Sequence, residues 1–208
     1  RFEHLPLECS HLYLAIEGKL AAVICVEDPL REEAADAVRE LKEAGITKVV
    51  MMTGDSERTA AAIAKRVGVD EYYSEVLPED KASFVEKEKE LGHKVIMIGD
   101  GINDSLALSS ANVGIAISDG AAIAREIADV TISADNLHEI VTLKRLSTAL
   151  MKRIHNNYRT IIGINGGLIA LGVTGIIMPT TSALLHNMST LTISLRSMRN
   201  LLPKEEEA

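Results

Sequence analysis

The 208-residue chain has no tryptophan and only two phenylalanines and four tyrosines, so its 47% hydrophobic content is almost wholly aliphatic. Cysteine is as scarce. Cys9 and Cys25 form neither a metal-binding spacing nor a disulfide framework, a usage that suits a reducing compartment. Positive charge is in deficit: 22 Lys and Arg stand against 30 Asp and Glu, and the net charge of -8 argues against nucleic acid as a partner. These residues read as containing neither a signal peptide nor an internal repeat. The first residue is Arg1 rather than Met, and the residues after it read as mid-domain, as expected of a fragment. The length suits one domain of ordinary size plus something extra.

What is present is organised around Val95 to Leu108, VIMIGDGINDSLAL. Val95 to Ile98 reads as a short buried strand. It ends in Gly99-Asp100-Gly101, and a helix start follows at Asn103-Asp104-Ser105. Two carboxylates, Asp100 and Asp104, therefore share one tight turn at the carboxyl end of a strand, where open α/β sheets bind ligands. The glycines allow close backbone approach. Carboxylate oxygens suit Mg²⁺, which takes one or two of them together with phosphate and water. A strand-to-helix turn capped by Asp and Asn is the plainer alternative.

The flanking chain alternates strand and helix. Leu12–Ile16 and Leu20–Val26 read as two strands joined by a turn at Glu17-Gly18-Lys19. Asp28-Pro29 opens a helix, as N-cap and first helical residue, with Ala34, Val38 and Leu41 on one face and Gly45 as its stop. Thr47–Met52 is a strand leading to Thr53-Gly54-Asp55, and a helix from about Ser56 to Val67 follows. Glu79–Leu91 is a charged, exposed helix. After the central turn, Val113–Ile117 is a strand, Ala121–Ile127 a helix and Val130–Ile132 a last short strand. This alternation implies a doubly wound, parallel α/β sheet.

Beyond Asn136 a helix rich in Leu, Lys and Arg runs to about Arg159, and no charged residue occurs from Thr160 to Met178. That length is within the range for a membrane-spanning helix. Pro179 breaks it, and Thr181 to about Leu195 forms a second, less apolar span containing His186, Asn187, Ser189 and Thr190. Lys152, Arg153 and Arg159 before the pair, and Arg196, Arg199 and Lys204 after it, point both ends of the hairpin to the cytoplasm. The five glycines between Gly163 and Gly175 also fit a buried soluble helix pair. The tail from Lys204 to Ala208 reads as disordered.

Thr53-Gly54-Asp55 and Gly99-Asp100-Gly101 both end strands of the expected sheet, so both can face one crevice. The Thr53 hydroxyl can donate to a phosphoryl oxygen. Lys81, at the start of a helix in Leu77-Pro78-Glu79-Asp80-Lys81, can neutralise phosphate charge, although taken alone it is one more surface lysine. Hydroxyl, ammonium and metal-binding carboxylate together form a cradle for phosphoryl transfer. No Asp, Cys or Ser stands out beside it as a nucleophile.

MMTGDSERTAAAIAKRVGV, YSEVLPEDKASFV and VIMIGDGINDSLALSSANVGIAI resemble the phosphorylation domain of P-type cation-transporting ATPases, within the haloacid dehalogenase-like superfamily. LYLAIEGKLAAVICVEDPLRE is similar to the segment where that chain returns from the nucleotide-binding domain. AREIADVTISADNLHEI and the terminal helix pair resemble the heavy-metal class. The resemblance implies ATP as substrate and Mg²⁺ as cofactor. It gives Thr53, Gly54 and Asp55 the role of the TGD motif at the phosphoryl group and Lys81 that of the stabilising lysine. Asp100 takes the role of the Mg²⁺ ligand, with Asn103 and Asp104 as its partners. Asp28 and Arg31 match a DPxR-like element near the hinge.

The implied layout has five parts. Residues 1–26 end the nucleotide-binding domain, 27–135 are the C-terminal part of an incomplete phosphorylation domain, and 136–159 are a linking helix. Residues 160–200 are two transmembrane helices and 201–208 the tail. The chain is thereby expected in the cell membrane, multi-pass, in contact with lipid, its α/β domain cytoplasmic. The motif DKTGT, whose aspartate the family phosphorylates, is absent from these residues, as are TGE and a Cys-Pro transport helix. Because the family's phosphorylated strand lies mid-sheet, its loss is expected to leave unpaired strand edges. The expected partners are the missing N-terminal half of the pump and a divalent or heavy metal cation. Imidazole, amide and hydroxyl groups around His186 suit Zn, Co, Mn or Fe better than Cu, while nearby Met178 and Met188 keep a softer ion such as Cd open, with His186 a residue of the ion pathway. A hydrogen bond between helices is the plainer reading of His186. Two functions of other kinds remain open at this point: a catalytically inactive, membrane-anchored module that binds Mg²⁺ and phosphate or depends on a partner, and a soluble phosphatase.

Overall fold

In a computed structural model the described residues are 10–26, 30–100, 103–117, 126–132 and 136–202. Cys9, Asp28, Gly101, most of the helix expected over 121–127 and the tail lie outside them. The chain divides into two compact units, Arg1–Val141 and Thr142–Ala208.

The first unit opens with an antiparallel hairpin, β1 (Ser10–Ile16) and β2 (Lys19–Val26), which pairs Leu12 with Ile24 and carries a register shift between Leu14 and Ala15. Helix α1 (Ala34–Glu43) buries Ala34 and Ala37. Strand β3 (Val50–Met52) is shorter than expected and pairs in parallel with β4 (Glu71–Tyr73) across helix α2 (Glu57–Val67). Strand β4 was not foreseen. It has three residues, two of them apolar, too few to show alternation.

Helix α3 (Pro78–Glu90) starts with proline at its first position. The Asp80 carboxylate reaches back to accept the Leu77 N–H at 3.2 Å, satisfying one of the donors a helix start leaves open. Strand β5 (Ile96–Gly99) leads to helix α4 (Ser105–Ser110), and β6 (Val113–Ile117) and β7 (Val130–Ile132) continue a parallel sheet in the order β5-β6-β7. Ala82, Val85 and Ala107 form the core between α3 and α4, with Val95, Met97 and Ala111 packed against them.

The single doubly wound sheet is corrected. The parallel strands fall into two small sheets, β3-β4 and β5-β6-β7, and the hairpin is a third. Among the described residues β3 and β5 are each paired on one side only.

The transmembrane hairpin is corrected as well. Helix α5 (His138–Val173) runs through 36 residues and ends before the uncharged run does. Gly175, at φ 73°, turns the chain, and Ile176 N–H donates back to the Leu171 carbonyl at 3.0 Å. From Thr160 to Val173 the uncharged helix is about 21 Å long at 1.5 Å per residue, short of the roughly 30 Å of a hydrocarbon core. Helix α6 (Pro179–Ser197) has 19 residues but intersperses Thr180, Thr181, His186, Asn187, Ser189 and Thr190. Among the described residues no helix is long and apolar enough to cross a membrane.

Candidate functional site

Thr53, Gly54 and Asp55 follow the carboxyl end of β3, and backbone hydrogen bonds to the segment after β4 fix their path. Thr53 N–H donates to the Tyr73 carbonyl (3.0 Å), Val76 N–H to that of Thr53 (3.0 Å), and Glu75 N–H to that of Asp55 (2.9 Å). The Thr53 hydroxyl donates to Asp55 Oδ2 at 2.8 Å and accepts the Asp55 N–H at 3.1 Å. A hydroxyl has one proton to donate, so Thr53 must leave Asp55 to serve a phosphoryl oxygen. A side chain on Gly54 would meet nothing closer than the Val76 carbonyl oxygen at 4.0 Å, so close approach is not what glycine provides there.

Lys81 and Asp104 are brought together. Lys81 Nζ donates to Asp104 Oδ1 at 2.7 Å, and the two side chains are 15% and 12% exposed. A largely buried ammonium and carboxylate each require such a partner. The pair joins the first turn of α3 to the N-cap of α4. Gly99 makes room for it: a Cβ there would lie 2.5 Å from Asp104 Oδ2 and 2.7 Å from Asp104 Cβ. Asp100 is exposed, and its Oδ1 lies 3.4 Å from the Asn103 N–H, which holds the turn. Asn103 is also exposed.

Among the described residues no group of three or more His, Cys, Asp or Glu could hold a metal ion. The donor set at the end of β5 nevertheless fits Mg²⁺, which needs only one or two carboxylates when phosphate and water supply the rest. Asp100 is an exposed residue at this turn, and one oxygen of Asp104 is committed to Lys81.

Sequence reasoning missed a polar cluster beside the Thr53 loop. Both oxygens of Glu57, the first residue of α2, accept hydroxyls: Tyr72 at 2.8 Å and Ser74 at 2.5 Å. The Ser74 bond, then the Tyr72 bond, holds the Glu57 carboxyl below its ordinary range, and Glu57 in turn pushes the Tyr72 phenol up. The cluster lines an open depression of 550 Å³ together with Asp70, Glu71 and Tyr73. Its only signal in the sequence is hydroxyls at alternate positions, 72 and 74, on an extended segment. Nearby, Lys42 and then the Val49 N–H hold the Asp70 carboxyl low.

In the second unit, His186 Nδ1 on α6 lies 2.9 Å from Asn165 Oδ1 on α5. An oxygen acceptor there requires the proton on Nδ1 and leaves the Nε2 lone pair for another partner.

A sequence model described as haloacid dehalogenase-like hydrolase matches residues 3–112. Among curated proteins, the chain is 37% identical over 189 residues to a zinc-exporting P-type ATPase of Mycobacterium marinum, which covers 90% of this chain and 26% of that protein. It is 44% identical over 176 residues to copper-transporting ATPase 2 of Rhizobium meliloti, covering 85% of this chain and 21% of the relative. It is 38% identical over 189 residues to a manganese-exporting P-type ATPase of Mycobacterium bovis, covering 90% and 26%. The chain thus spans about a quarter of the length of the curated relatives it matches. Among solved structures, a zinc-transporting PIB-type ATPase in the E2.Pi state superposes with a TM-score of 0.82 at 31% identity, over 95% of this chain and 32% of that one.

Proposed function

This chain belongs to the haloacid dehalogenase-like hydrolase family, and we propose that it is the phosphoryl-stabilising part of an ATP-driven heavy-metal cation pump of the P-type class. The observation that carries this reading is the Lys81–Asp104 pair at 2.7 Å, set beside exposed Asp100 at the end of β5. The similarity to zinc-exporting, manganese-exporting and copper-transporting ATPases supports it.

In this reading ATP phosphorylates an aspartate that is not among these residues. Asp100, with Asn103 closing its turn, would hold Mg²⁺, which supplies charge neutralisation at the phosphoryl oxygens when bound. Lys81 brings an ammonium already oriented by Asp104, so little reorganisation accompanies the development of charge. Thr53 exchanges its Asp55 acceptor for a phosphoryl oxygen. The whole pump would sit in the cell membrane with the α/β unit on the cytoplasmic side.

For the ion, His186 and Asn165 offer one imidazole nitrogen and one amide oxygen, a set that suits borderline divalent ions such as Zn²⁺ or Mn²⁺ better than Cu⁺. Two donors are too few to hold an ion alone, so His186 would be one contact on a path.

The test is ³¹P NMR of inorganic phosphate with the chain. Broadening or shift that requires Mg²⁺ and disappears in Asp100→Ala supports the reading. Phosphate that ignores the chain with Mg²⁺ present contradicts it. An acid-stable phosphoenzyme formed from ATP by this chain alone would contradict the assignment of the aspartate outside it.

A further inference from the structure

The Glu57 cluster has no part in the chemistry above, yet it ties together the two chain segments that lead to the groups that carry it. Glu57 stands two residues after Asp55, at the start of the helix that the Thr53 loop enters. The segment it grips, Tyr72 to Ser74, is the one whose backbone bonds the loop through Tyr73, Glu75 and Val76. Leu77, directly after Val76, is the N-cap of α3, and Lys81 lies in the first turn of that helix. Residues 53–57 and 72–76 are therefore laced by three backbone bonds on one side and the two Glu57 bonds on the other. Thr53 begins this frame, and the chain that leaves it at Val76 continues through Leu77 into the helix that carries Lys81.

We propose that Glu57 is a positioning residue that sets the Thr53 hydroxyl against the Lys81 ammonium by clamping Tyr72 and Ser74 to the start of α2. This rests on the phosphoryl-site reading and deepens it. Carboxylate is the right group for the task, since it accepts two hydroxyl bonds at once and charge-assisted bonds are the stronger kind. Glu57 lies at the exposed surface, where a glutamate ordinarily has neither oxygen committed. Glu57 has both committed, and its lowered acidity range keeps it in the accepting form.

The experiment measures orthovanadate binding in the presence of Mg²⁺ together with amide hydrogen exchange, on the full chain. Glu57→Ala is expected to weaken orthovanadate about tenfold, the effect of one to two hydrogen bonds. Mg²⁺ affinity without orthovanadate should stay within about twofold. The double variant Tyr72→Phe/Ser74→Ala should reproduce that loss, and adding Glu57→Ala to it should cost nothing more, since the three act as one unit. The amides of Thr53, Glu75 and Val76 should exchange faster in Glu57→Ala. If Glu57→Ala does not fold, the double variant carries the same test.

Wild-type orthovanadate affinity in Glu57→Ala, or unchanged exchange at those three amides, overturns the clamp. A general loss of thermal stability with orthovanadate affinity intact also overturns it, reducing Glu57 to a structural residue. If the unaltered chain binds no orthovanadate, the phosphoryl-site reading falls, and the exchange of the three amides still decides whether the clamp exists.

Discussion

Gly99 and Asp104 occupy adjoining space with no room for a methyl group between them: a Cβ on Gly99 would stand 2.5 Å from Asp104 Oδ2. The obstacle would be a carboxylate held by a 2.7 Å bond to Lys81, not the end of a mobile chain. Gly99→Ala is therefore expected to destabilise the fold by about 1–3 kcal/mol, as overpacking does. Urea unfolding of the variant reads this, and an unchanged midpoint would show that Asp104 is free to move aside.

The Lys81–Asp104 pair is largely buried, so its members are unequal to their absence. Lys81→Met leaves a carboxylate that is 12% exposed without its cation, and a loss of about 3 kcal/mol is expected. Lys81→Met combined with Asp104→Leu should regain most of it, because no charge is then stranded. The comparison is made by denaturant unfolding of the two variants. A double variant as unstable as the single one would mean that the pair itself carries the stability.

Acid stability should depend on Asp70 and Glu57. Both carboxyls lie below their ordinary ranges in the folded chain, Asp70 through Lys42 and the Val49 N–H, Glu57 through Ser74 and Tyr72. A carboxyl depressed by folding contributes stability that is present above its unfolded value, near pH 4, and is lost as pH falls through its folded value. Melting temperature is thus expected to be level from neutral pH to about 4 as far as these groups act, then to decline. Asp70→Asn should flatten part of the decline while lowering the plateau. An unchanged acid limb would remove Asp70 from the account.

Arg153 on α5 donates to the carbonyls of Ser197 (3.0 Å), Arg199 and Asn200 (2.9 Å), closing the end of α6, where a helix leaves its last carbonyls open. Asn157 adds a bond to the Ser197 hydroxyl at 2.7 Å. Arg153→Met keeps much of the side chain's bulk and removes its donors. It should speed hydrogen exchange in the last turn of α6 by about tenfold, the value of about one net hydrogen bond. Unaltered exchange there would mean that water caps the helix equally well.

Where a signal was local, the sequence carried it to the structure. Asp28-Pro29 falls outside the described residues, but Pro78 does open a helix, the hairpin does turn at Glu17-Gly18, and β5 does end at Gly99 before a helix with Asp104 at its N-cap position. The long-range relations were not legible. That Asp104 faces Lys81 depends on α3 and α4 packing through Ala82, Val85 and Ala107, and no spacing along the chain states it. The Glu57 clamp joins residues 15 and 17 positions apart through a three-residue strand too short to read. The expected membrane spans failed for a physical reason. Absence of charge over 160–178 does not guarantee continuity of helix: Gly175 turns the chain early, and the hydroxyl, amide and imidazole groups of α6 lower its apolarity.

The central claim is that Asp100, Lys81 and Thr53 serve one phosphoryl group. Calorimetric titration of the chain with orthovanadate, with and without Mg²⁺, tests it most directly. Binding that requires Mg²⁺ is expected, abolished by Asp100→Ala and weakened at least about tenfold by Lys81→Met, the scale of a lost charge-assisted bond. Binding of equal strength without Mg²⁺, or untouched by either substitution, would contradict the claim.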